Sequence, residues 1–290
     1  PPLPRSFGRV NEATRVSRII RCTVEYDGEG FAGSQLQPDR PTVQGDLEAV
    51  LSRLFDRPTR ISAAGRTDAG VHATAQEVGF ETPAGWELGR LVDAANALLP
   101  DSIRVQNCRP AEAGFHPRFT ATGRRYEYFI GDRPGPATPL RRRRIWQIGC
   151  PVSTEGLQSS SAVLIGPGDF ANRSRSGQPE RGTRCTNERA AWLRTAAGDL
   201  RFEIVADRFL HHMVRYLVAV QVEMALGRRA PGELRALLRG ADQASPPRAA
   251  PAAGLYLTGV RYPDGWNRAP GVPGLWPLAT HRGGGPKRHE

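Results

Sequence analysis

Between Ala63 and Ala73 the chain reads A-A-G-R-T-D-A-G-V-H-A, which sets one carboxylate, Asp68, in a loop of small residues. Arg66 lies two positions before it and His72 four after it. Gly65 and Gly70 let the backbone turn sharply and let another molecule come close. A lone carboxylate in such a loop can be catalytic. The same residues also suit an Asx turn, because Asp readily bonds its own backbone.

Two further stretches carry chemistry-bearing side chains. Phe115 to Tyr128 reads F-H-P-R-F-T-A-T-G-R-R-Y-E-Y. Tyr126 and Tyr128 alternate with Glu127 and so share one strand face, where they could stack on an unpaired base or fill a sheet core. Arg124 and Arg125 precede them and offer charge to phosphate. Ala206 to Val218 reads A-D-R-F-L-H-H-M-V-R-Y-L-V. On a helix, Phe209, Met213, Leu217 and Val220 form the buried face, and Arg215 falls off it, about 200° from Met213. His211 and His212 are adjacent, so on a helix they diverge by about 100° and do not chelate one metal as an i, i+4 pair does. Cys22, Cys108, Cys150 and Cys185 are scattered without C-x-x-C or Cys/His metal spacing and read as buried reduced thiols.

These residues need elements to position them. Arg18 to Tyr26 alternates as a strand. Thr42 suits the N-cap of a helix with Val43, Leu47, Val50, Leu51 and Leu54 on one face. Strand-like segments flank the Asp68 loop, at Arg60 to Ala64 and Thr74 to Phe80. A helix over Glu87 to Leu99 and a strand over Ile103 to Cys108 follow. The order β-α-β-β-α-β is that of a ferredoxin-like, or split βαβ, unit. The second half reads the same way: a strand over Phe119 to Gly131, a helix over Thr154 to Ile165, and a hairpin of Glu188 to Thr195 with Leu200 to Asp207. A long helix over Phe209 to Leu226, stopped by Gly227, a short helix from Pro231 and a last strand over Leu255 to Tyr262 complete it. The predicted class is α+β, two ferredoxin-like halves with mainly antiparallel sheets and helices on the outer faces. Residues 1–17 read as a flexible arm, 18–115 and 116–262 as two α+β domains, and 263–290 as a disordered Pro/Gly-rich basic tail. Gly166 to Thr186 reads as a long loop. Its Arg173, Arg175 and Arg181, with Arg184, either grip phosphate or stay solvated.

Composition narrows the partner. A net charge of +11 and a hydrophobic content of 39% describe a basic protein with a real core. Nucleic acid is the first candidate partner and a membrane surface the second. Lys287 is the only lysine among 40 basic residues. Arginine suits phosphate, but GC-rich codon usage produces the same bias. No apolar run is long enough to span a bilayer, and the N-terminus lacks the apolar core of a signal peptide, so a soluble cytoplasmic protein is expected.

The Asp68 string resembles the central motif of the TruA-type tRNA pseudouridine synthases, and the resemblance runs from about residue 18 to residue 262. Tyr26-Asp27-Gly28, Phe31-Ala32-Gly33 and Thr42-Val43-Gln44-Gly45 match the family's N-terminal block. His212-Met213-Val214-Arg215 matches its helix, and Ala253-Gly254-Leu255-Tyr256-Leu257 its last strand. There are departures. Ser34 stands where Trp is usual. Gly168 replaces the His of a G-x-H-D-F block. Asn172-Arg173 follow where a small residue and Phe are usual, and Ala219 stands where Gly is common.

The resemblance implies a pseudouridine synthase fold and an isomerase acting on uridines 38 to 40 of the tRNA anticodon arm, without cofactor or metal, as a homodimer. It implies that Asp68 is the catalytic residue, that Arg215 pairs with it, and that Tyr126 lies against the target uracil. Arg66 then enters the space left by the extruded base or holds the backbone. Two rivals stand beside it: a catalytically weak RNA-binding or RNA-folding protein on the same scaffold, and a hydrolase using Asp68 as acid or base.

Overall fold

The structure, a computed structural model, describes residues 17–170, 182–238 and 248–267. Its first half runs β1 (Arg18–Tyr26), α1 (Val43–Phe55), β2 (Ser62–Ala63), β3 (His72–Thr82), α2 (Leu88–Leu98) and β4 (Ile103–Pro110). The second runs β5 (Gly123–Gly131), β6 (Trp146–Gln147), α3 (Thr154–Ala162), β7 (Gly166–Asp169), β8 (Arg184–Arg194), β9 (Leu200–Ala206), α4 (Met213–Ala225), α5 (Glu233–Leu238) and β10 (Leu255–Tyr262). A short β11 (Gly265–Trp266) hairpins back on β10.

Both halves repeat one topology. The strands lie in the order β4-β1-β3-β10-β5-β9-β8-β7, with β2 on β3. Within each half this is the split βαβ order, β4-β1-β3-β2 and then β10-β5-β9-β8. The halves meet where β10 runs parallel to the start of β3, through Tyr256 opposite His72 and Leu257 opposite Ala73. The two sheets are therefore one. A row of paired positions, Tyr26, Ala73, Leu257, Tyr126, Ile204 and Ala190, crosses it on a single face.

That face carries the core. α1 and α2 cover Cys22, Val78 and Phe80, while α4 reaches Trp192, whose Nε1 donates to Gln221 Oε1 at 2.9 Å. Local signals set the helix ends. Thr42 Oγ1 accepts the Gly45 N–H at 3.1 Å, and Asp56 closes α1 in the left-handed region. Gly227, at φ 71°, follows the end of α4.

Several expectations change. Phe119 to Thr122 is not strand; β5 starts at Gly123. α4 starts at Met213 rather than Phe209, because His212 takes φ 61°, outside the helical region. Both ends of the expected 166–186 loop are strands, with Gly166 to Asp169 paired to Arg184 to Asn187. Its interior, with Arg173, Arg175 and Arg181, lies outside the described residues, as do residues 1–16. The expected tail begins as packed structure: β11 pairs with β10, Asp264 pairs with Arg21, and the buried Asn267 donates to Ala75 O at 3.1 Å. The four cysteines are not all thiols. Register sets Cys22 opposite Cys108, and the two are joined in a disulfide, leaving Cys150 and Cys185 free.

Candidate active site

The Asp68 loop bridges β2 and β3 at the point where β3 meets β10. Its shape is held from three sides. Gly33 forms a β-bridge with Asp68. Ser34 N–H donates to Thr67 O at 3.0 Å, and Thr67 N–H donates to Ser34 Oγ at 2.8 Å. Below the loop, Tyr26 Oη lies 2.8 Å from Thr67 Oγ1, and Gln76 Nε2 donates to Gly65 O at 2.8 Å. Burial raises the Tyr26 phenol pKa, with its hydrogen bonds opposing, so this network is neutral.

At the far end of the loop His72 is buried. Its Nδ1 lies 2.9 Å from Asp27 Oδ1 and its Nε2 3.1 Å from Arg143 O. Burial works to raise the Asp27 pKa, but hydrogen bonds from His72 and Glu29 N–H and the charge of Arg144 outweigh it and leave it low. Gly28 is required beside this point, since a Cβ there would stand 2.1 Å from Val71 O.

Asp68 itself receives three partners from one segment of the other half. Arg215 Nη1 donates to Oδ2 at 3.0 Å, and Arg215 Nε donates to Ala250 O at 2.7 Å. His212 Nε2 lies 3.2 Å from Oδ2, and His211 Nε2 lies 3.2 Å from Oδ1. The two imidazoles stack, their centroids 3.8 Å apart. The left-handed turn at His212 brings both rings to one carboxylate, overturning the divergence expected from helical geometry. The three ligand atoms lie within 4.8 Å of one another, a metal-like spacing. The Arg215 guanidinium on Oδ2 competes with a dication for the same oxygen, so the geometry is that of a charge-paired carboxylate.

Tyr126 faces this loop. It is 8% exposed, and its ring meets Phe209 edge-on at 5.0 Å. Burial first, then the nearby Tyr26 and Asp68 charges, raise its pKa well above the ordinary phenol value. Its partner in the sequence pattern, Tyr128, is core: fully buried, with Oη donating to Pro251 O at 2.7 Å.

The arginines divide. Arg66 is exposed at the rim of the loop. Arg215 reaches Asp68 instead of solvent. Arg125 alternates to the opposite sheet face, where Nη2 donates to Thr258 O at 3.3 Å. Arg124 is only 9% exposed and donates to main-chain carbonyls, which takes it away from the phosphate role its sequence position suggests. Sequence reasoning missed Ser34, Gln76, His211 and His212. Of these, the imidazoles carried a signal: two titratable residues just before the Arg215 turn.

A family model described as tRNA pseudouridine synthase matches residues 22–120 and 161–263, which include Asp68 and Arg215 but not Tyr126. The tRNA pseudouridine synthase A of Chlorobaculum tepidum is 41% identical over 249 residues, covering 86% of this chain and 99% of that protein. That of Methylococcus capsulatus is 38% identical over 254 residues, covering 84% of this chain and 90% of its own. That of Bacillus subtilis is 34% identical over 245 residues, covering 84% and 98%. Since the match takes in both halves of the sheet and most of each relative, this chain belongs to the tRNA pseudouridine synthase family.

Proposed function

We propose that this protein isomerises uridine to pseudouridine in tRNA, in the anticodon stem-loop at positions 38 to 40. The observation that carries the proposal is Asp68, set in a glycine loop, paired with Arg215 at 3.0 Å and facing Tyr126. The reaction breaks the bond between N1 and C1′, turns the base, and joins C5 to C1′; C5 loses a proton and N1 gains one. Atoms and electrons balance within the nucleotide and solvent.

Asp68 serves either as nucleophile at C1′ or as the base that draws a proton from C2′. Arg215 and His212 anchor Oδ2, so Oδ1, whose partner His211 is the more exposed imidazole, is the oxygen placed to act. Tyr126 packs its ring on the uracil. Extruding a stem base costs a few kcal/mol, and Arg66 at the rim occupies the vacated space or holds the backbone. Basic charge steers the tRNA, with Arg173, Arg175 and Arg181 as phosphate contacts. A homodimer and a cytoplasmic location go with this substrate. Among the described residues no helix is long and apolar enough to cross a membrane.

A carbodiimide-based pseudouridine map of tRNA incubated with the protein tests the reading. Asp68→Asn is expected to abolish turnover while tRNA binding stays within several-fold of wild type, because the amide keeps the shape and loses the basicity. Binding without any turnover by the wild type would instead favour the RNA-binding rival.

A further inference from the structure

Arg124 is the second residue of β5, two before Tyr126, and so lies on the same face of the strand. All the hydrogen bonds shown for its two Nη groups go to main-chain oxygens. Nη1 donates to Ala121 O at 3.2 Å and to Asp207 O at 3.0 Å. Nη2 donates to Ala64 O at 3.0 Å and to Arg118 O at 2.8 Å. Each Nη carries two hydrogens, so the fork has a donor for each of these four acceptors.

The positions of the acceptors matter. Ala64 ends the β2 side of the Asp68 loop and is itself tied to β3 by its N–H on Glu77 O at 2.8 Å. Asp207 follows the end of β9 and opens the segment that carries His211, His212 and Arg215. One guanidinium therefore joins the backbone that delivers the carboxylate to the backbone that delivers its side-chain partners. The two segments belong to opposite halves of the sheet, and the nearest strand contact between those halves is the short β3–β10 pairing.

We propose that Arg124 is a positioning residue: it sets the separation of Asp68 from Arg215 and the two imidazoles by clamping Ala64 and Asp207 to one rigid fork. A planar guanidinium does this because its donors diverge in a fixed geometry; an ammonium, with three hydrogens on one nitrogen, does not span four carbonyls from separate segments. The proposal rests on Asp68 being the reacting carboxylate. Its cost when lost is misplacement of that carboxylate, which falls on the chemical step.

The test is Arg124→Lys, with Ala64→Gly as a second variant that loosens the same anchor without altering charge. Wild-type turnover and its loss in Asp68→Asn are measured first; if wild type does not turn over, the functional reading fails and not the clamp. Single-turnover rates are taken per folded molecule, with the folded fraction from a denaturant melt. For Arg124→Lys we expect the rate of the chemical step to fall about 100-fold, with tRNA affinity and its salt dependence unchanged within about 3-fold. Ala64→Gly lowers the same step several-fold, and the two effects are less than additive because they act through one contact. If Arg124 were a phosphate contact, Lys would restore the rate, and Arg124→Gln would weaken binding and reduce the salt slope by about one. A folded Arg124→Lys protein with wild-type turnover overturns the proposal. If Arg124→Lys does not fold, wild-type turnover in Ala64→Gly overturns it alone.

Discussion

The chemistry proposed for Asp68 relies on Arg215, which lies 147 residues further along the chain and donates to its Oδ2. Local sequence around Asp68 shows a turn-forming acid; the partner that makes it a charge-paired carboxylate comes from another element. Ser34 is a similar case. By family pattern it is a departure, yet its hydroxyl and main chain hold Thr67, the residue before Asp68, at hydrogen-bond distance. Tyr126 joins both readings the sequence left open, being buried and facing the site. Its raised pKa keeps the hydroxyl protonated through neutral pH, so the phenolate is not available as a base. Tyr126→Phe is therefore expected to keep turnover within about 10-fold of wild type, while Tyr126→Ala loses about 3–5 kcal/mol of stability along with activity. A denaturant melt beside a single-turnover assay checks both. A fall of about 100-fold or more in a well-folded Phe variant would assign the hydroxyl to proton transfer.

At the scale of elements, the site depends on where regular structure stops. The helix periodicity holds from Met213 onward, but not from Phe209, because the backbone at His212 turns left-handed and α4 begins one residue later. That break turns two diverging side chains into a stacked pair on one carboxylate. On the other side, the loop between β1 and α1 lays Gly33 against Asp68. Gly33 has φ 120°, and a Cβ there would stand 2.9 Å from Thr67 O. Gly33→Ala adds backbone strain and pushes directly on the Asp68 loop. It is expected to cost about 1–3 kcal/mol of stability and to slow turnover more than it weakens tRNA binding. Unchanged melting and turnover would show that the bridge between these two loops is dispensable.

For the molecule as a whole, the two split βαβ halves form one sheet, joined at the edge where the site lies. Each half is readable from its own β-α-β-β-α-β pattern. Their parallel junction, made by β10 on β3, depends on strands separated by most of the chain. A second long-range pairing, Cys22 with Cys108 across β1 and β4, closes a span of 86 residues. With the bond formed, titration of the unfolded, unreduced protein is expected to find two thiols, Cys150 and Cys185. Denaturing conditions are needed because burial pushes the Cys185 thiol up to about 12. Reduction is expected to lower stability by about 2–4 kcal/mol, read from denaturant melts with and without reductant. Four titrating thiols in protein from a cell extract would mean that the pair is reduced there, as is usual in a cytoplasm.

Features that depend on neighbours along the chain are legible without the fold. Thr42 caps α1, Gly227 follows α4, apolar spacing places the helices, and the A-A-G-R-T-D-A-G-V-H-A string marks the loop and its family. These are short-range effects of backbone preference, side-chain period and local hydrogen bonding. The fold sets which polar groups share a space. It turned Arg124 inward onto four carbonyls, brought His211 and His212 to Asp68, set Cys22 opposite Cys108, and packed residues 264–267 against the sheet. The physical reason is common to all four. A guanidinium, an imidazole or a thiol has the same local signature whether it meets solvent, phosphate or a buried carbonyl, and long-range geometry, strand register for the cysteines and a left-handed turn for the imidazoles, decides which it meets.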